Sequence, residues 1–141
     1  MTGNKIVLED IESIINKGNN WHKFSGKSIL ITGANGFLPA YMVETLLILS
    51  AKGIIKDVKV FALVRNMNKA AERFRAYLNY SNLKFIVQDV CDPITIKEEI
   101  HFIIHAASQA SPKFYGTDPV GTLSANVIGT INLFKFAQNQ Q

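Results

Sequence analysis

Residues that staple or anchor a chain are scarce in this sequence. Its 141 residues include one cysteine, Cys91. A single thiol cannot form an intrachain disulfide, and no cysteine-based zinc site is expected. That economy of thiols points to a reducing compartment, the cytoplasm. No apolar run approaches the about 18 residues of a membrane-spanning helix, so no membrane partner is expected. The opening MTGNKIVLEDIE is polar and acidic and lacks the basic start and apolar centre of a secretory signal. Internal repeats and low-complexity tracts are absent as well, and the length is that of one domain.

Charge of one sign is also sparse. Fifteen Lys and Arg against 11 Asp and Glu leave a net +4. The basic residues are scattered, with one loose cluster at Arg65, Lys69, Arg73 and Arg75. A basic excess can serve nucleic acid, but no RNA- or DNA-binding motif accompanies it, and nucleic acid is not an expected partner. Two readings remain for these charges: a solvated helix face, or contact with an anionic cofactor or sugar nucleotide.

What is present is a core. Apolar residues make up 48% of the chain. Val7, Ile11, Ile14 and Ile15 recur at helical spacing over residues 6–17, and Gly18-Asn19-Asn20 ends that helix. Short β-branched runs then alternate with helical ones. Strands are expected at Ser28–Thr32, Val58–Val64, Leu83–Gln88 and Phe102–His105. Helices are expected over 38–52 and Asn68–Leu78, with a short, weak one over Ile94–Ile100. Residues 106–117 read as a loop. Asp118 as cap and Pro119 at the first helical position start a last helix running to about Gln138. Strands apolar on both faces and alternating with helices predict an α/β fold, a Rossmann-like doubly wound parallel sheet of about four strands in the order 3-2-1-4. Residues 1–25 form a helix and lead-in, and 26–141 form the sheet domain. The fourth strand would stand at an open edge, as in the first part of a larger domain.

The stretch ITGANGFLPAY, Ile31–Tyr41, joins the first strand to its helix through Gly33 and Gly36. Such a turn gathers backbone N–H groups at the positive end of a helix, which suits a pyrophosphate. Gly33 permits the tight turn, and Gly36, without a Cβ, permits close approach. Pro39 stands where a third glycine is usual. In the first helical turn its missing N–H breaks no intrahelical bond. The end of the second strand carries Arg65, which suits a 2′-phosphate or adenine stacking and tilts the choice from NAD toward NADP. Asp89 follows the third strand and can accept from an adenine amino group or cap the turn at Asp92-Pro93. His105 reads as buried at its strand end, and no metal-ligand cluster surrounds it.

Taken together, TGANGF (32–37), ALVRN (62–66), QDV (88–90), HAAS (105–108) and DPVGTLSANVIGTINLFKFA (118–137) resemble the extended short-chain dehydrogenase/reductase superfamily, specifically its NAD(P)-dependent nucleotide-sugar epimerases, dehydratases and decarboxylases. ASQASPKFYGTDPVGTLSAN is most similar to UDP-glucuronate decarboxylases. ALVRN is more similar to NADP-using GDP-mannose dehydratases, so the sugar stays open. The resemblance implies that Gly33, Asn35, Gly36, Phe37 and Leu38 line the pyrophosphate, and that Asp89 and Val90 hold the adenine. It implies that Ala106, Ala107 and Ser108 lie along the nicotinamide-side ribose and that Asn126 supports the active-site backbone. It implies a hydride cycle through a 4-keto sugar, a nucleotide-sugar substrate, and a homo-oligomer, with self-association expected through either the last helix or the open fourth strand. The superfamily's catalytic Tyr-x-x-x-Lys pair has no acceptable match. Tyr80 and Lys84 have the spacing but fall between a helix and a strand. The expected role is the cofactor-binding part of such an enzyme, not itself active, with a non-catalytic NADP-binding or sensing module as the alternative.

Overall fold

The computed structural model describes residues 4–109 and 112–140. Helix α1 (Lys5–Lys17) starts where the Asn4 side chain accepts from the Ile6 N–H at 3.0 Å. It buries Ile11 and Ile15, one turn apart, against the next helix. A 3₁₀ turn at Trp21–Phe24 leads into β1 (Ser28–Thr32), whose five residues are all buried.

The sheet is four-stranded and wholly parallel, in the order β3-β2-β1-β4. β1 lies between β2 (Lys59–Val64) and β4 (Phe102–Ile104), with Leu30 opposite both Phe61 and Ile103. β3 (Leu83–Val87) flanks β2 and, as an edge strand, is only partly covered. Side chains alternate between the two faces of a strand. Ile29, Ile31, Val60, Ala62 and Val64 pack with α1 and α2 (Phe37–Ala51), whereas Leu30, Phe61 and Leu63 pack with Leu133 and Phe136 of α5 (Pro119–Gln138). Both faces are therefore apolar, which is why the strands read as unbroken hydrophobic runs. α2 is enclosed nearly all round, and nine of its fifteen residues are buried. Among the described residues no helix is long and apolar enough to cross a membrane.

Three local expectations need correction. The segment from Ile94 to Ile100 is not helical. Ile94, Ile96 and Ile100 are buried beneath α5. The β-branched run Ile94-Thr95-Ile96 favours an extended chain, and the i, i+2 burial of its two isoleucines needs one. The helix expected over Asn68–Leu78 is shorter. α3 (Met67–Arg73) gives way to a 3₁₀ turn at Arg75–Tyr77, where Phe74 and Tyr77 are buried. Within the expected 106–117 loop, Pro112–Thr117 form a short helix, α4. Pro112 suits a first helical position, and the Asp118 N–H closes the end on the Phe114 carbonyl at 2.8 Å. Ala110 and Ser111 of that loop lie outside the described residues.

Candidate functional site

Parallel strands bring their carboxyl ends to one edge of the sheet. There a cavity of about 830 Å³ opens above β1. The turn after β1 and the first turn of α2 supply Gly33, Asn35, Gly36, Phe37, Leu38 and Pro39. The end of β2 and the start of α3 add Arg65, Asn66 and Lys69, and the turn after β3 adds Asp89, Val90 and Cys91. The segment after β4 contributes Ala106, Ala107, Ser108 and Gln109, and α5 closes the far side with Asp118, Gly121, Ser124 and Ala125.

The turn is built for close contact. Gly33 has φ +62°, and a Cβ there would stand 2.8 Å from the Ala106 carbonyl oxygen and from the Ala107 Cα. A Cβ on Gly36 would stand 3.1 Å from the Gly33 oxygen and 3.2 Å from Pro39 Cγ. Gly36 is the N-cap of α2 and Pro39 its third residue, where no intrahelical N–H bond is lost. Phe37 and Leu38 are 75% and 65% exposed, so the head of the helix is open. Their N–H groups have no carbonyl four residues back within the helix. This glycine floor under an open helix N-terminus fits a pyrophosphate.

Thr32 ties the two halves of the floor together. Its buried Oγ1 accepts from the N–H groups of Ala106 and Ala107 at 3.0 and 3.1 Å. The same oxygen lies within hydrogen-bond distance of His105 Nδ1, at 2.8 Å. His105 is half-buried and stands outside the cavity lining.

Two carboxylates and two cations border the opening. Arg65 and Asp89 face each other at 3.6 Å, an ion pair beyond hydrogen-bond length. Asp89 is held below its ordinary pKa, first by the Cys91 N–H it accepts at 2.9 Å, with Arg65 adding to the effect. The Cys91 thiol is pushed up by burial and by Asp89. Asp118 caps α5 by accepting from the Gly121 N–H at 2.9 Å and also accepts from Gln109 Nε2 at 2.9 Å. Gln109 first, then the Gly121 N–H, lower its pKa. Among the described residues no group of three or more His, Cys, Asp or Glu could hold a metal ion.

A family model for the NAD dependent epimerase/dehydratase family matches residues 29–141. The chain belongs to that family. Within it, the chain is 30% identical to UDP-glucuronic acid decarboxylase 6 of Arabidopsis thaliana over 81% of this chain and 31% of that protein. It is 32% identical to UDP-glucuronic acid decarboxylase 1 of Danio rerio, over 79% and 25%. It is 30% identical to UDP-glucose 4-epimerase of Rickettsia rickettsii, over 84% and 35%. The chain thus spans about a third or less of the length of these relatives. Among solved structures, Pen from Bacillus thuringiensis superposes with a TM-score of 0.71 at 21% identity, over 83% of this chain and 35% of that one. DesIV, a dTDP-glucose 4,6-dehydratase from Streptomyces venezuelae with NAD and TYD bound, gives 0.66 at 21%, over 80% and 36%. Such identities show the shared Rossmann-like fold.

Eleven of the twelve residues expected at the site line the one cavity, and Asn126 does not. Asn126 is exposed and donates to the Thr122 carbonyl of its own helix at 2.9 Å. Tyr80 packs edge-on against Tyr77, away from the cavity. Sequence reading passed over Asn66, Cys91 and Gln109, took Lys69 only as one of the loose basic cluster with Arg65, and took Asp118 only as a cap. The one signal available was the spacing of Lys69, four residues after Arg65.

Proposed function

We propose that this chain is the cofactor-binding part of a nucleotide-sugar epimerase, dehydratase or decarboxylase working through a 4-keto sugar. The observation that carries it is the Gly33 turn pressed onto Ala106 and Ala107 at the open head of α2. In this reading Phe37 and Leu38 offer backbone N–H groups to the pyrophosphate, with Asn35 beside it. Asp89 and Val90 hold the adenine, and Ala106, Ala107 and Ser108 form the wall along the second ribose. The nicotinamide, when bound, supplies reversible hydride transfer at C4 of the sugar. The residues present bind and orient it.

NADP is the favoured cofactor. Arg65 and Lys69 line the same side of the cavity, and two cations suit a 2′-phosphate better than a bare ribose hydroxyl. Isothermal titration of the chain and of Arg65→Glu, each with NADP and NAD, tests this. The unaltered chain is expected to prefer NADP by about tenfold, the worth of one charge-assisted contact, and the variant to lose that preference. Failure of both dinucleotides to bind would overturn the reading; an unchanged ratio in the variant would remove Arg65 from it. We also infer cytoplasmic residence and a homo-oligomer. The latter is supported by the exposed apolar stripe of Val120, Leu123, Val127, Ile131 and Phe134 along α5.

A further inference from the structure

The turn after β3 is held from outside itself. Residues 88–101 contain no helix, and the three successive carbonyls of Val90, Cys91 and Asp92 converge on one side chain. Asn132 of α5 donates from Nδ2 to them at 3.1, 2.7 and 3.2 Å. Asn132 is 40 or more residues away in sequence, and one turn before it α5 comes close to the same turn. A Cβ on Gly129 would stand 2.8 Å from Val90 Cγ1. On its other side the turn is pinned by Asp89, whose carboxylate accepts from the Cys91 N–H and whose carbonyl accepts from the Asp92 N–H at 3.1 Å.

We propose that Asn132 is the positioning residue of this wall of the cavity. It gathers the 90–92 carbonyls toward α5 and so fixes where Asp89, Val90 and Cys91 stand against an adenosine group. The proposal rests on the reading that the cavity takes a dinucleotide with its adenine at this turn. A carboxamide suits the task because it presents two N–H groups on one nitrogen to several acceptors. An aspartate of the same shape would set a carboxylate against three carbonyl oxygens and release the turn. A serine would leave one donor on a shorter arm.

The test uses the 141-residue chain, its Asn132→Asp and Asn132→Ser variants, and 5′-AMP as the probe. Affinity is read by isothermal titration and local order by amide exchange of Cys91 and Asp92. Asn132→Asp is expected to weaken 5′-AMP by about tenfold, with faster exchange confined to residues 89–92 and the strand amides unchanged. Asn132→Ser is expected to show the same pattern at smaller size, and carries the test alone if the aspartate variant does not fold. Unchanged affinity despite a loosened turn would overturn the proposal. So would faster exchange throughout the sheet, because Asn132 would then serve the fold and not the site. If the unaltered chain binds neither 5′-AMP nor a dinucleotide, the cofactor reading itself fails, and that outcome is distinct from a variant that binds as well as its parent.

Discussion

Gly33 is the residue at which fold and ligand grip meet most closely. With φ +62° and backbone atoms of Ala106 and Ala107 where a Cβ would go, Gly33→Ala forces both a strained dihedral and a shift of the 105–107 segment. We predict a loss of about 1–3 kcal/mol in urea unfolding and weaker dinucleotide binding. A second test at this scale lies beneath α2. Glu44 is 7% exposed and has Arg73 Nε at 3.4 Å, with the Arg73 side chain 32% exposed. Burial raises the Glu44 pKa, and Arg73 only partly offsets it. A raised carboxyl contributes stability that is present at acid pH and lost as pH rises through the folded value. Arg73→Met removes the offsetting cation. The variant should therefore lose about 1–3 kcal/mol near neutral pH, discounted for the exposure of Arg73, and distinctly less below the ordinary Glu value of 4.5, where Glu44 is protonated both folded and unfolded. An equal loss at both would contradict the assignment. Gly33, Arg65 and Asp89 were legible in the sequence because their strand positions identified them. Asn132 and the Gln109–Asp118 contact were not, because their partners come from other segments. Asn126 shows the converse: its sequence pattern pointed to the site, yet its side chain serves its own helix.

At the scale of elements, β1 and β2 were readable because nearly every residue in them is apolar and buried, and β3 and β4 because short β-branched runs recur between the helices. β1 and β2 alternate between two apolar faces, and α5 begins at a capping Asp118 followed by proline. The segment at 94–100 was misread because its isoleucines were taken for a helical face, whereas the β-branched run Ile94-Thr95-Ile96 lies extended beneath α5. α4 was missed because six residues rich in turn formers carry no hydrophobic period. Pro39 offers an element-scale prediction. It is buried at the third position of α2, where it fixes φ without breaking a bond. Pro39→Gly should cost about 1 kcal/mol through the freedom it returns to the unfolded chain. It should leave dinucleotide affinity undiminished, because Pro39 stands where a third glycine is usual in such a turn. Thermal unfolding and titration of the one variant check both halves, and a gain in stability would contradict this account of the helix start.

For the molecule as a whole, the sheet order and the site at its carboxyl edge go together, since parallel strands flanked by helices open a crevice where the strand order reverses, between β1 and β4. The exposed stripe on α5 predicts self-association. Sedimentation should give a mass above the monomer that falls when Leu123 and Ile131 are both replaced by glutamate, and a monomer at all concentrations would oppose the homo-oligomer. The most direct test of the central claim is a parallel thermal-shift titration of the chain with NADP and NAD. A ligand that binds only the folded state stabilises it by about 2.7 kcal/mol at a hundredfold excess over its dissociation constant. The account predicts a rise in Tm with both dinucleotides, larger with NADP. A chain that melts cooperatively and shifts with neither would contradict it.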